Sequence, residues 1–294
     1  MKRALLLFWP TLLCLILLSC SPPRPDHPVI GAKNFTEQVI LGELLAQEIE
    51  AKSGSKVERR FYLAVSYICN QALVSGRIDA YVEYTGTALT AILKQPVSRD
   101  PDAVLQTVRQ LYASRSDVTV GEPLGFENTF AMVIRGDDAR RLNLTTLSQA
   151  AKYTPNWHLG VGYEFEQRPD GLPGLSAAYN LHFAGPPRTM DLGLLYRALT
   201  AHQVDMIAAN STDGPIQALG LVALQDDRHY FPPYQAVPLV RNESLHRFPQ
   251  IAQALHALAG KVTADDMRGM NEAVDGQHRN PAEVVREFRA RHSL

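Results

Sequence analysis

The sequence predicts an α/β protein of two similar lobes, each a βαβαβ-based sheet flanked by helices, and three observations carry that prediction. The first is the stretch Ile78–Thr87. Ile78, Ala80, Val82 and Tyr84 alternate with more polar neighbours, the period of a half-buried strand. Thr85-Gly86-Thr87 reads as a tight turn, and Ala88, Leu89, Ile92 and Leu93 follow at helical spacing. The second is a repeat. Gln71–Asp79 corresponds without gaps to Arg197–Asp205, which sets Tyr84 against Asn210 and Thr85-Gly86-Thr87 against Ser211-Thr212-Asp213. The third is that strand and helix signals alternate in the same five-element order over residues 29–84 and again over 158–210. That order is the unit of a doubly wound sheet. Such sheets bind ligands outside the carboxyl ends of their strands, where helix N-termini present free N–H groups.

The 294 residues leave room for two domains, and a 46% hydrophobic, 20% charged composition fits a soluble globular body. A net charge of −1 argues against a nucleic-acid partner, which calls for a basic excess. Residues 1–20 are distinct. Lys2-Arg3 is followed by an almost wholly apolar run from Ala4 to Leu18, short for a membrane span and flanked like an export signal. Its end, Leu17-Leu18-Ser19-Cys20, resembles the bacterial lipobox, which implies cleavage before Cys20 and a lipid anchor on that cysteine. Cys14 lies within the signal, so Cys69 alone remains in the body. No internal disulfide is then available, and Cys69 reads as a buried structural thiol.

Ser21–Pro28, with four prolines, reads as a tether. Val29–Lys33 is a short strand, and Thr36 is the expected cap of a helix carrying Val39, Ile40, Leu44, Leu45 and Ile49. Strands are expected over 57–63 and 78–84 with a helix over 66–75 between them, then a helix over 101–114, a strand over 118–124 and another through Phe130 to Ile134. Residues 136–143 read as a polar connection and 146–153 as a short helix. The second unit runs through a strand at 158–162, a helix over 175–181, a strand near 187–189, a helix over 191–202 capped by Asp191, and a strand over 204–210. The apolar strand 236–240 and helices over 250–258, 264–274 and 281–291 end the chain. The strands at Phe130 and Ala236 are the two expected crossings between lobes. The organisation is therefore 1–20 signal, 21–28 tether, 29–127 first lobe, 128–234 second lobe, and 235–294 completing the first lobe.

No catalytic residue, metal site or cofactor is expected. There is no Gly-x-Ser-x-Gly elbow, P-loop or HExxH, Gly160-Val161-Gly162 lacks the third glycine of a dinucleotide site, and the histidines are scattered. What gathers at the expected cleft edges is aromatic and cationic: Tyr84, Phe130 and Tyr234, with Lys33 before one helix and Arg168 in the loop before another. Aromatic faces attract a desolvated quaternary ammonium by about 0.5–2 kcal/mol per ring. Basic groups hold a carboxylate through charge-assisted bonds. The combination suits a zwitterion.

Gly31-Ala32-Lys33-Asn34-Phe35-Thr36-Glu37-Gln38, Glu83-Tyr84-Thr85-Gly86-Thr87, Asn128-Thr129-Phe130 and Ser211-Thr212-Asp213-Gly214 resemble motifs of the substrate-binding proteins of osmoprotectant ABC importers, in order from about residue 28 to the C-terminus. The resemblance implies a two-lobed periplasmic-binding-protein fold of type II, with two crossing strands as hinge. It implies a betaine, choline or carnitine ligand, and delivery to an ABC permease with its ATPase. It makes Lys33 and Arg168 carboxylate-binding residues, Tyr84 and Tyr234 cage tyrosines, and Thr87 a hydroxyl contact. Phe130 and Asn210 stand at two further cage positions where tyrosine is usual; the first keeps the ring and the second removes it. Ala64-Val65-Ser66 replaces a usual Gly-Gly-Thr, and Tyr67, directly after it, is the residue expected to fill part of the gap. Asn210 is alternatively a partner for a polar substituent of a larger ligand. An amino acid or an ergothioneine-like betaine remains open as ligand, and a sensor with the same fold as function.

Overall fold

The computed structural model describes residues 24–294; the signal and Cys20 lie outside the described residues. Two five-stranded mixed sheets form the two lobes. The first contains β1 (Val29–Gly31), β2 (Glu58–Arg60), β3 (Ala80–Tyr84) and β4 (Val118–Val120); the second contains β5 (Phe130–Arg135), β6 (Leu159–Val161), β7 (Arg188–Thr189), β8 (Met206–Asn210) and β9 (Leu221–Leu224). β10 (Ala236–Arg241) returns to the first, giving the orders β2-β1-β3-β10-β4 and β7-β6-β8-β5-β9. Within each sheet the first three strands are parallel, and the fourth runs antiparallel to its neighbours. That fourth strand is in both cases the one the chain reaches by crossing from the other sheet.

The crossing segments pair with each other. Glu127 and Gln235 form an isolated antiparallel bridge, and Asn128 N–H donates to the Tyr234 carbonyl at 3.1 Å. The repeat seen in the sequence lands on equivalent corners: Tyr84 ends β3 opposite Ala236, and Asn210 ends β8 opposite Phe130.

β3 is buried along its whole length rather than on one face. Its alternation separates two apolar layers. Ala80, Val82 and Tyr84 face the helix Thr36–Ser53, and Tyr81 faces Leu73, Leu89 and Val104. The helix Thr36–Ser53 is in turn covered by the C-terminal helices, through Ile251, Met267, Met270, Val284 and Phe288. It is buried nearly all round, so no clean amphipathic stripe marks it.

Local chemistry departs from expectation in several places. Residue 35, not Thr36, holds the cap position of that helix, and the Thr36 hydroxyl donates to Asp275 instead. Asp191 occupies its cap position without a side-chain cap bond. The expected polar connection at 136–143 is the helix Gly136–Leu142, whose first turn carries Asp137 and Asp138 and whose last carries Arg140 and Arg141, matching the helix dipole. The second strand is only three residues long, and a helix Asn242–Arg247 precedes the last three. Among the described residues no helix is long and apolar enough to cross a membrane, and no cluster of three or more His, Cys, Asp or Glu is placed to hold a metal. Cys69 is a buried free thiol.

Candidate functional site

A cavity of about 90 Å³ lies between the carboxyl-end edges of the two sheets, and Lys33, Tyr84, Thr87, Phe130, Arg168, Asn210 and Tyr234 all line it. Tyr67 does not. Ser66 opens the helix Ser66–Val74 and turns its N–H towards Glu164 across the cleft at 3.0 Å. The next residue is about 100° further round the helix, and the Tyr67 ring is 57% exposed. The extra ring comes instead from Phe165, in the second-lobe helix Tyr163–Gln167, whose centroid lies 4.8 Å from that of Phe130 at 72°. Tyr234 meets Phe130 at 5.6 Å and 76°. Both are the edge-to-face geometry that aromatic quadrupoles favour.

The basic groups are not set apart from the rings. Lys33 Nζ lies 4.6 Å from the centre of the Tyr84 ring, and Arg168 Cζ lies 5.0 Å from that of Phe130 and 5.8 Å from that of Tyr234. Each cation also has its own buried carboxylate. Lys33 Nζ donates to Glu83 Oε1 at 2.5 Å and to Ser66 Oγ at 3.3 Å. Arg168 grips Asp170 through Nε at 2.9 Å and Nη2 at 2.5 Å, and Nη1 donates to the Thr87 hydroxyl at 3.0 Å.

Asp170 is the hub of this end. Thr90 donates to its Oδ2 at 2.9 Å and the Tyr234 phenol donates at 2.7 Å. Burial works against its charge, but the Arg168 guanidinium, with Tyr234 and Thr90, overrides this and holds the carboxyl below its ordinary value. Burial pushes the Tyr84 and Tyr234 phenols well up, so both remain neutral donors. Thr87 and Thr90 are in the first lobe, Arg168 and Asp170 in the second. The ion pair therefore ties the lobes together beside the cavity.

At the corner where a ring is usual, Asn210 turns back on its own loop. Its peptide N–H donates to Asp213 Oδ2 at 3.0 Å and its amide to Oδ1 at 3.3 Å. Asp213 also accepts from the Tyr196 phenol at 2.7 Å, and burial pushes its carboxyl up to about 6. Asn128, which the sequence marks only as part of a motif, lines the cavity with Glu164 and Phe165, none of them expected as site residues, and Glu83 and Asp170 sit directly behind it. The Arg168-Pro169-Asp170 spacing signals Asp170. Nothing local signals Glu83, which the strand period sends to the face opposite Tyr84.

The chain matches a family model described as the substrate binding domain of ABC-type glycine betaine transport systems over residues 28–291. It is 34% identical over 281 residues to a carnitine transport binding protein of Listeria monocytogenes, covering 93% of this chain and 91% of the relative. It is 32% identical over 293 residues to a glycine-betaine-binding protein of Pseudomonas aeruginosa, covering 96% and 93%. A solved structure described as a glycine betaine/carnitine/choline ABC transporter shares 32% identity and superposes with a TM-score of 0.75 over 90% of this chain and 98% of that one. Its two lobes, their shared cavity and these likenesses together identify the chain as a member of the family of substrate-binding domains of glycine betaine, carnitine and choline ABC importers, extracytoplasmic proteins that bind solute without transforming it.

Proposed function

We propose that this chain binds a quaternary-ammonium zwitterion such as glycine betaine or carnitine between its lobes and hands it to an ABC permease driven by its ATPase. The ammonium head lies against Tyr84, Phe130, Phe165 and Tyr234, and the carboxylate is drawn to Arg168, Thr87 and Lys33. The observation that carries this is the convergence of rings and cations on one small cavity, with protein cations already seated on ring faces. The lobes comprise residues 29–127 with 235–294, and 128–234. The paired crossing at Glu127 and Gln235 supports a hinge there. The Leu-Leu-Ser-Cys ending of the signal supports attachment through lipid on Cys20.

A second reading has its own support. Lys33 and Arg168 are each matched by an internal carboxylate, and Glu164 and Asp191 add negative charge to the wall. That favours a ligand with net positive charge, such as choline. Calorimetric titration with glycine betaine, carnitine, choline and ergothioneine separates the two. Tighter binding of the carboxylate-bearing betaines supports the zwitterion, tighter binding of choline supports the cation, and failure of all the quaternary compounds rejects both. Ergothioneine belongs in the panel because an ergothioneine transport permease and binding protein of Helicobacter pylori is 32% identical over 267 residues, though the match spans 48% of that protein.

A further inference from the structure

Glu37 lies in the first turn of the helix Thr36–Ser53 and is 1% exposed. Its carboxylate is satisfied by four neutral donors. Oε1 accepts from the Tyr84 phenol at 2.6 Å and from the Asn128 amide at 2.8 Å. Oε2 accepts from the Asn271 amide at 2.9 Å and from the Thr212 hydroxyl. The Asn271 amide also donates to the Thr212 carbonyl at 2.9 Å. Tyr84 ends β3 and walls the ligand cavity, Asn128 lies on the outward crossing, and Asn271 is on the helix Ala264–Asp275. Thr212 alone comes from the body of the second lobe, in the turn after β8.

We infer that Glu37 is a positioning residue that couples the Tyr84 wall of the cavity to closure of the second lobe, through the Thr212 hydroxyl. The inference rests on the binding function proposed above. A carboxylate offers about four acceptor sites, and here all are filled. A buried charge that loses a donor forfeits more than the net value of one hydrogen bond. Three donors stay with Glu37 when the lobes part; the fourth arrives with closure. The same carboxylate fixes the phenol of Tyr84 and draws its proton outward, which enriches the ring that faces a cationic head. Ligand on Tyr84 and Thr212 on Glu37 therefore meet one carboxylate from opposite sides, and each favours the arrangement the other needs.

The test uses Thr212→Val, which keeps the shape and removes the donor, and Thr212→Ser, which keeps the donor. Stopped-flow binding of glycine betaine and of choline to the full soluble domain is compared for the three proteins. Thr212→Val is expected to weaken binding roughly tenfold, almost wholly through faster release, while Thr212→Ser restores the slow release. Wild-type release from Thr212→Val, or release from Thr212→Ser as fast as from Thr212→Val, overturns the inference. If neither compound binds the wild type, the proposed function fails and a ligand-free measurement decides the coupling. Spin labels on the two lobes then report the interlobe distance. A shift to longer distances in Thr212→Val, reversed in Thr212→Ser, sustains it, and identical distributions in all three overturn it.

Discussion

At the scale of single residues, the cavity is held by charges that neutralise one another. Arg168 and Asp170 are 7% and 0% exposed, and removing one partner of such a pair leaves the other buried and unmatched. Arg168→Met is therefore expected to cost about 3–5 kcal/mol of stability. Adding Asp170→Asn is expected to recover part of that loss, since the orphaned charge disappears; denaturant unfolding of the wild type, both single variants and the double variant measures the coupling. Asp213 gives a pH signature. Its folded value, about 6, lies above the ordinary aspartate value of about 3.9, so the folded protein holds this proton more tightly than the unfolded chain. The group's stabilising contribution is complete below the unfolded value and is lost as pH rises through 6. On lowering the pH from 7 to 5, the wild type is expected to gain about 1 kcal/mol relative to Asp213→Asn. Melting curves at the two pH values check it, and parallel behaviour of the two proteins would contradict it.

At the scale of elements, the turn after β3 shapes the site. A Cβ at Gly86 would stand 2.7 Å from the Tyr234 ring and 2.8 Å from the Pro233 carbonyl, so the close approach of turn and crossing needs glycine here. Gly86→Ala is expected to push Tyr234 out of place, costing about 1–3 kcal/mol and most of the ligand affinity. Gly193→Ala, in a helix where a Cβ meets nothing within 4 Å, is the control and is expected to be neutral or to stabilise by up to about 1 kcal/mol. Past the turn the chain winds as a π turn over Ala88–Ile92, and the single Thr90 hydroxyl proton lies within reach of both the Gly86 carbonyl and Asp170. Apolar spacing suggested a helix there, but a π turn alters only the hydrogen-bond offset, which spacing does not record.

The same distinction explains what was legible elsewhere. The βαβαβ repeats and the strand ends at Tyr84 and Asn210 could be read, because periodicity and turn chemistry are local. Residues 136–143 were not read as a helix, because the helix is short and carries little apolar signal, its charge order being the one cue. Lys33, Tyr84, Thr87, Phe130, Arg168, Asn210 and Tyr234 were reached through motif positions, and they share one cavity. Tyr67 lies off the cavity because the residue after Ser66 is turned about 100° round the helix, away from the cleft, and Phe165 was missed because only tertiary packing brings its ring to Phe130. Glu83 escaped for a further reason: Lys33 in the sequence does not reveal a counter-ion fifty positions away, whereas Asp170, two residues from Arg168, was within reach of a local reading.

At the scale of the whole molecule, the two sheets meet in a closed arrangement. Ser66 N–H reaches Glu164, Thr87 accepts from Arg168, and Thr90 donates to Asp170, all across the cleft. The Thr212 hydroxyl on Glu37 and the Asn271 amide on the Thr212 carbonyl add to these contacts, and the paired crossings join the lobes covalently, so opening separates the contacts without unfolding either sheet. Ligand is accordingly expected to shift the population towards the closed form, seen in small-angle scattering as a smaller radius of gyration on saturation. Glu164→Ala is expected to lessen that shift by removing a cross-cleft acceptor.

The central claim is that a cage of aromatic faces recognises a fully methylated ammonium. Calorimetry of glycine betaine against dimethylglycine, and of choline against dimethylaminoethanol, isolates one methyl group at constant charge. The cage predicts that at least one quaternary compound binds and that its tertiary partner binds about tenfold more weakly, having lost a methyl contact and gained an N–H that the rings do not satisfy. Equal or tighter binding of the tertiary partners would contradict it.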